Sequence, residues 1–308
     1  MPNPHGARPL ALRELWVDLV KGDEAAEEDV LDDLAQAGVI YVGEYHAIPR
    51  HHEIQLWLIQ EVFRRKVPLV LCLEQLEAAD QPAIDRYCAR EIDFATLARE
   101  IDWPKKWRDY AAYEPLCEFA QRHRIPIRGL NAPGEVVRAV NRGGGVAKLA
   151  AGQRAQLPAE IVLDDPAYER LTSLELSVHA SLEPGKVRPM FEAQVARDEA
   201  MAAAIVAARR LPGGPPRTAF VVIGGGHVRF GLGTAARVRR RDPGIAERIV
   251  LMSESGQLQL SAADQAARRD VTISHAEVRA VERPAADYLR VLPLAETTLP
   301  PGHPPIER

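Results

Sequence analysis

The chain has 308 residues, of which 46% are hydrophobic and 27% charged, with a formal net charge of −4 and a pI near 6.2. These values are typical of a globular protein with one large core, or with a core and a smaller subdomain. The small negative charge gives no electrostatic reason to expect nucleic acid as a partner. No apolar run reaches the roughly 18 residues that a membrane-spanning helix needs.

The first 14 residues contain no basic stretch followed by a long apolar run, so no signal peptide is predicted there. We therefore expect a soluble protein without a membrane span, cytoplasmic as written. If a leader has been removed, the expected location is instead the cell surface or the periplasm.

The predicted elements alternate between apolar strands and amphipathic helices along the chain. Apolar runs, typical of buried parallel strands, cover residues 39–42, 70–73, 125–130 (interrupted by Arg128), 219–223 and 249–252. Apolar residues at helical spacing predict helices at residues 24–37, 51–65, 81–103 (several short ones), 107–124, 133–143, 190–210 and 234–241. Two weaker β-like runs follow at 271–274 and 288–292. This alternation predicts a three-layer α/β fold with a mainly parallel sheet.

Residues 146–190 differ from the rest because they contain no convincing core strand and are interrupted by several prolines. We predict that they form a helical cap insertion over one end of the sheet. Residues 1–145 and 191–295 then form the α/β core, and the Pro-rich residues 296–308 form a flexible tail.

Two Gly-x-x-His tetrads close two of the predicted strands. One runs from Gly43 to His46 and the other from Gly224 to His227. Glycine at a strand end permits a sharp turn that aims the following side chain into a crevice. Because ligands of open α/β sheets bind beyond the carboxyl ends of the strands, both tetrads are expected to border one site. Gly226, which precedes the second histidine, is included in this predicted pocket.

Polar residues also end the other predicted strands. Glu74 follows the apolar run at 70–73 and Asn131 follows the run at 125–130, while Glu44 lies inside the first tetrad. An unpaired buried carboxylate is costly, so Glu74 needs a partner. The alternatives are a salt bridge, with Arg128 and Arg229 as candidates, or a functional role beside the histidines.

Histidine and carboxylate side chains are ligands suited to zinc, iron or manganese. His46, Glu74 and His227 are therefore candidate ligands of a divalent metal, although their long spacing does not prove a metal site. His51 and His52 begin the helix after the first tetrad, and at most one of two adjacent helical residues is expected to face the crevice.

Several short segments carry a resemblance to a known family. They are Gly43–His46 with His51, His52 and Gln55; Leu73–Gln75; Trp103–Leu116; Gly129–Pro133; Ala193–Ala202; Gly226–Gly233; and Ala286–Leu289. In order and spacing the chain resembles the ChaN-like haem-binding uptake family of the Tiki/TraB superfamily, over residues 35–293.

The resemblance implies an α/β core with a helical cap and a role in haem or iron acquisition. Family members are similar to surface lipoproteins that hold porphyrin at a dimer interface through tyrosine or histidine, so a homodimer is expected. This chain departs from that pattern because it shows no lipid-attachment cysteine near its start. Within the predicted cap, Tyr168 and His179 are the candidates for binding haem iron or the propionates.

Two functional hypotheses follow. The first is a haem- or iron-related binding protein, with haem at the cap and a metal, an anion or another small molecule in the strand-end crevice. The second is a metal-dependent hydrolase, protease-like or esterase-like, in which Glu44, His46, Glu74 and His227 are catalytic. The superfamily includes proteins that resemble metal-dependent proteases, and erythromycin esterases share a similar Gly-Glu-x-x-His opening. We adopt the first hypothesis and keep the second as the alternative.

Overall fold

The computed structural model describes residues 14–179, 184–253 and 283–292. The predicted β-like run at 271–274 and the predicted tail at 296–308 lie outside these ranges. The side chains of residues 174–179, 184 and 185, which lie in described helices, are also not described.

One sheet of eight strands forms the centre of the described structure. The strands are β1 (Leu15–Asp18), β2 (Asp23–Ala25), β3 (Val39–Glu44), β4 (Leu69–Glu77), β5 (Ile127–Asn131), β6 (Thr218–Gly224), β7 (Glu247–Met252) and β8 (Tyr288–Val291). Their spatial order is β2-β1-β8-β7-β3-β6-β4-β5. All neighbours from β8 to β5 pair in parallel, and β1 pairs antiparallel with both β2 and β8.

The prediction that the apolar runs ending at Val42, Leu73, Leu130 and Ile223 are neighbours in one parallel sheet is confirmed. The sheet contains them side by side as β3, β6, β4 and β5. The predicted end at Leu73 is wrong, because β4 continues to Glu77 and Glu74 lies within the strand. Val42 lies opposite Val222, and Leu73 also lies opposite Val222. The carboxyl ends of these strands therefore meet at the same edge of the sheet.

Helices cover both faces of the sheet. They are α1 (Glu27–Leu34), α2 (Pro49–Arg64), α3 (Gln81–Cys88), α4 (Phe94–Glu100), α5 (Trp103–Lys106), α6 (Glu114–Arg122), α7 (Gly134–Gly143), α8 (Ala151–Arg154), α9 (Pro166–His179), α10 (Pro184–Arg209) and α11 (Gly233–Arg241). Side chains of α1, α2, α4 and α6 pack on one face, and those of α10 and α11 pack on the other. Alternate residues of the central strands enter the two cores, since successive side chains of a strand point to opposite faces. The predicted three-layer α/β fold is therefore observed.

The amino-terminal hairpin of β1 and β2 is a difference from the prediction, which began the regular structure with a helix at residue 24. The helix begins at Glu27 instead. The hairpin turns through Gly22 at φ 81°, and its strands are too short to show a clear alternating pattern.

The longer helix predicted over 107–124 begins only at Glu114. Pro115 accounts for that start, because proline has no N–H to donate and suits the first helical turn.

Helix α10 begins at Pro184 rather than at residue 190 and runs through the predicted boundary between cap and core. A side chain of α10 also contacts the segment before α9. The buried carboxylate of Glu199 accepts a hydrogen bond from the Val162 amide at 3.0 Å. The division into core and cap stays a prediction. No helix in the described part of the chain is long and apolar enough to cross a bilayer.

Candidate functional site

Glu44 ends β3 as a buried carboxylate surrounded by hydrogen-bond donors. The donors to its two oxygens are Tyr113 Oη at 2.5 Å, Gln55 Nε2 at 2.5 Å, His46 Nδ1 at 2.7 Å and Gln75 Nε2 at 2.8 Å. Burial alone raises the pKa of this carboxyl, but the hydrogen bonds and charges of His46 and His52 outweigh it and lower the pKa to about 2. Glu44 is therefore an anion held in a fixed position.

His46 contacts this carboxylate directly and is partly exposed. Because the Glu44 carboxylate can only accept, Nδ1 of His46 carries the proton and Nε2 is left with its lone pair in the neutral ring. A methyl group built on Gly224 would lie 3.0 Å from Nε2 of His46 and 3.4 Å from Oε2 of Glu74, so Nε2 faces the main chain of the second tetrad. The ring is 37% exposed and packs edge-on against Trp107, with centroids 4.7 Å apart.

His51 and His52 have different roles, which the sequence left open. His51 is fully buried; its Nδ1 accepts from the Tyr45 amide at 3.0 Å, and its Nε2 lies 3.3 Å from the Ser253 carbonyl. His52 faces the site, with Nδ1 3.3 Å from Oε2 of Glu44 and Nε2 3.1 Å from the His46 carbonyl. Burial lowers the pKa of His52, but the Glu44 carboxylate more than compensates and raises it. Both nitrogens of His52 face acceptors, which suits the protonated ring.

Glu74 is buried within β4 and has three partners. Its Oε2 accepts from the Gly224 amide at 2.6 Å, and its Oε1 accepts from Arg197 and lies 3.4 Å from His227 Nε2. The arginine that pairs with Glu74 is therefore Arg197 of α10, and not Arg128 or Arg229 as the sequence suggested. The charges of His227 and Arg197 overcome the effect of burial and hold the pKa of Glu74 well below its usual value.

Arg197 also ties Asn131 into the site, since its Nε donates to Oδ1 of that residue at 3.2 Å. Asn131 in turn donates to the Glu74 carbonyl at 3.1 Å. The structure thus joins the ends of β4, β5 and β6 through one buried carboxylate and one guanidinium.

His227 lies between two carboxylates and is almost fully buried. Its Nδ1 donates to Asp198 Oδ1 at 2.6 Å, and its Nε2 faces Glu74. Thr234 donates to the same Asp198 oxygen at 2.7 Å. Burial lowers the pKa of His227, but Glu74 and Asp198 together raise it to about 9. At neutral pH the ring is therefore a cation that neutralises part of the carboxylate charge.

The two predicted tetrads meet in space. Gly43 is packed so tightly that a methyl group there would lie 2.5 Å from the side chain of Leu251 and 3.2 Å from Gly225. Gly226 lies in the short 3₁₀ turn Gly225–His227 that follows β6. The close approach of the two glycine-containing turns places His46 beside Glu74, and Glu74 in turn contacts His227.

The prediction of a divalent metal gains no support from this geometry. His46 Nδ1 is used by Glu44, both Glu74 oxygens are hydrogen-bonded, and both nitrogens of His227 face carboxylates. In residues 14–179, 184–253 and 283–292, no group of three or more His, Cys, Asp or Glu side chains is placed to hold a metal ion.

Tyr168, predicted to bind haem, is buried in α9 with 1% of its surface exposed. Its ring packs against Phe191 at 5.9 Å between centroids and lies under the guanidinium of Arg237. Burial and the nearby Asp198 carboxylate raise the pKa of Tyr168 well above its usual value. The placement of Tyr168 therefore lends no support to a role in binding haem at the surface. His179 ends α9, and its side chain lies outside the described residues.

Several residues of the site were not predicted as site residues. One of them is Gln194, whose Nε2 lies 3.1 Å from His227 Nδ1. The others are Gln55, Gln75, Tyr113, Arg197, Asp198 and Thr234. All but Thr234 lie in the segments that carry the family resemblance, which was the available signal.

A second contact lies beside His46. The guanidinium of Arg229 donates to Tyr45 Oη at 2.6 Å and lies 5.2 Å from the centre of the same ring. Tyr45 and Arg229 are both half-buried. Tyr45 and His46 are consecutive, so one strand end supplies two different functional groups.

The chain matches a family model described as haem-binding uptake, Tiki superfamily, ChaN, over residues 30–238. Among solved structures it is similar to ChaN of Campylobacter jejuni, whose structure concerns cofacial haem binding. The TM-score is 0.66 at 15% identity, and the alignment covers 90% of this chain and 96% of that chain.

Two further structures are less similar. An erythromycin esterase mutant in its open conformation has a TM-score of 0.46 at 12% identity, covering 78% of this chain and 77% of that chain. The RRSP effector domain of a Vibrio vulnificus MARTX toxin has a TM-score of 0.43 at 16% identity, covering 77% of this chain and 37% of that chain. No curated protein sequence matches the chain.

Proposed function

Because the chain belongs to the ChaN family of haem-binding uptake proteins in the Tiki superfamily, as its motifs predicted, we propose that it binds haem. The family match carries this proposal, since residues 30–238 include both tetrads together with Glu74, Asn131 and Arg197. The fold agrees with that of ChaN from Campylobacter jejuni, for which haem binding is cofacial. By analogy, two copies of this chain would pair around haem, and the bound iron would be the cargo of an uptake system.

The donor groups of the structure suit haem iron, which proteins bind through histidine nitrogen or tyrosine oxygen. Tyr45 and His46 are half-buried at the carboxyl end of the sheet, and Trp107 supplies an aromatic surface beside them. Haem bound here would supply an iron that accepts one of these side chains as an axial ligand.

Titration of the purified protein with ferric haem should produce a saturable shift of the Soret band, because an axial protein ligand changes the iron coordination. Iron-free protoporphyrin is the matched control, since it offers the same apolar surface without iron. Saturable binding of haem with much weaker binding of protoporphyrin would support ligation by a side chain. A protein that leaves the haem spectrum unchanged at all ratios would contradict the proposed function.

A second candidate function is hydrolysis, favoured by the contact of Glu44 with His46. A carboxylate that accepts from Nδ1 fixes the tautomer and orientation of an imidazole, so that Nε2 can take a proton from water. Nε2 of His46 lies close to the main chain at Gly224, in a ring that is 37% exposed. The residues therefore suit activation of water by His46 itself, with an ester or amide as the class of substrate.

If His46 is a general base, changing it to glutamine should lower hydrolysis of a chromogenic ester by about 10²- to 10⁴-fold. The control is His123→Gln, which alters an exposed ring at the end of α6. Rates for wild type and both variants are measured at neutral pH after metal chelation. Absence of hydrolysis by the wild-type protein, or equal rates in all three proteins, would remove this candidate.

A further inference from the structure

From the contacts and exposure of Arg197 on α10, we infer that this residue is the anion-binding group of the site and that it holds a propionate carboxylate of haem. The inference rests on the proposed haem-binding function and assigns to it a residue that selects the ligand. For the propionates it replaces Tyr168, which is almost fully buried.

Two contacts within the protein use only one side of the Arg197 guanidinium. Its Nε donates to Asn131 Oδ1 at 3.2 Å, and its Nη2 donates to Glu74 Oε1. A guanidinium has five N–H groups, and these contacts take two of them, on the side of Nε. Nη1 donates to no residue in the described part of the chain, and it is not one of the buried nitrogens without a partner, so solvent reaches it. The end of the guanidinium formed by Nη1 and Nη2 is therefore open to a ligand.

Asn131 and Glu74 fix the orientation of this group. Asn131 also donates to the Glu74 carbonyl at 3.1 Å, which holds its amide in place. Glu74 Oε2 accepts from the Gly224 amide at 2.6 Å, which holds the carboxylate against β6. An arginine whose plane is held in advance loses less side-chain entropy when it binds a ligand. Its two terminal nitrogens match the two oxygens of a carboxylate, so that two charge-assisted hydrogen bonds form.

The charges around Arg197 are arranged so that a ligand meets the cation. The side chain of Arg197 is 23% exposed, whereas that of Glu74 is 1% exposed and that of Asp198 is completely buried. His227, the second cation, is almost fully buried, with both ring nitrogens directed at carboxylates. Helices α7 and α11 begin at the same edge of the sheet, and helix N-termini favour negative charge. An anion is therefore the class of ligand that suits the surface at Arg197.

The neighbouring aromatic surface indicates that this anion belongs to a porphyrin. Trp107 packs on the His46 ring with centroids 4.7 Å apart. A methyl group on Gly224 would lie 3.0 Å from Nε2 of His46 and 3.4 Å from Oε2 of Glu74, the carboxylate that Arg197 contacts. The aromatic surface and the guanidinium thus border the same part of the sheet edge. Haem suits both, since its propionates are attached to one side of a large apolar ring.

The test compares ferric haem with ferric haem dimethyl ester, in which both propionates are esterified and uncharged. Wild type should bind haem about 10- to 100-fold more tightly than the ester, which is the contribution of a hydrogen bond to a charged group. Arg197→Gln should lose this preference because it binds haem more weakly and the ester as wild type does. A purely structural role of Arg197 would instead weaken the binding of both ligands equally. Both titrations are followed at the Soret band in the same dilute detergent.

Arg210→Gln is the matched control and should keep the wild-type preference. It removes an exposed arginine that follows the far end of α10 and pairs with Asp242 at 3.0 Å. If Arg197→Gln does not fold, Arg197→Lys takes its place, since it keeps a cation beside Glu74 but lacks the planar fork of N–H groups. This variant should also bind haem more weakly and leave binding of the ester unchanged.

The inference is overturned, and the proposed function kept, if wild type binds the ester at least as tightly as haem. The same conclusion follows if a folded Arg197 variant keeps the full preference, or binds both ligands equally more weakly than wild type. If wild type binds neither ligand, the proposed function itself fails.

Discussion

Changing Glu74 to alanine is expected to lower the free energy of unfolding by about 3–5 kcal/mol, the largest stability effect at this site. The substitution leaves the cations of Arg197 and His227 next to each other without the buried carboxylate that now separates them. Removing one partner of a buried ion pair has a cost of this size because the remaining charge is desolvated and unpaired. It also leaves the Gly224 amide without its acceptor. Urea denaturation of both proteins at neutral pH measures the difference.

Glu100→Ala is the matched control for this prediction, because it removes the same side chain from an exposed pair with Arg86 at 2.8 Å. Exposed ion pairs contribute at most about 1 kcal/mol, so the control should remain close to wild type. A loss of less than about 1 kcal/mol in Glu74→Ala would show that the buried cluster is not a net source of stability.

The stability of the protein should also fall as the pH rises through about 9, because His227 is protonated between two carboxylates. A group whose pKa is higher in the folded state stabilises the fold fully below its unfolded pKa, here about 6.5, and loses that contribution as the pH rises through the folded pKa. The rise to about 9 in this buried ring corresponds to about 3 kcal/mol.

The measurement is the difference in unfolding free energy between wild type and His227→Gln across this pH range. The difference should shrink by about 3 kcal/mol between pH of about 6 and about 10, since the variant has no proton to lose at this position. Thr234→Val is the matched control: it removes the other donor to Asp198 Oδ1 without removing a titrating group, and should lower stability equally at each pH. A difference that stays constant with pH would show that His227 is not the titrating group.

Apolar runs in the sequence were enough to predict the sheet and the edge at which the site lies. Buried parallel strands are apolar runs, so the ends near Val42, Leu130 and Ile223 could be located to within about two residues without a structure, whereas β4 continues beyond Leu73 to Glu77. Parallel pairing then requires those ends to share one edge. The same pattern identified Glu44, Glu74 and His227 as polar groups near the strand ends, although Glu74 lies within β4 and only His227 lies beyond its strand. The order of short motifs identified the family.

The contacts of each of these groups could not be read from the sequence, because they depend on how distant segments pack. Glu74 is paired with Arg197, which lies 123 residues away in the sequence, instead of either arginine that the sequence suggested. His52 rather than His51 faces Glu44, because the first turn of α2 directs the adjacent rings differently. Strand ends are set by local hydrophobicity, whereas these contacts depend on how a helix packs across the sheet.

Packing between distant segments also determines that Tyr168 is buried and that Tyr45 is half-buried. In the sequence both are single tyrosines near predicted helices, and nothing in the neighbouring residues shows which one faces a core. Packing of α9 against α10 buries Tyr168 under Arg237 and against Phe191, whereas the turn after β6 brings Arg229 to Tyr45. The sequence located the end of the sheet that holds the site because strand patterns are local. The structure decided which side chains are paired, buried or accessible there, because these properties depend on contacts between residues far apart in the chain.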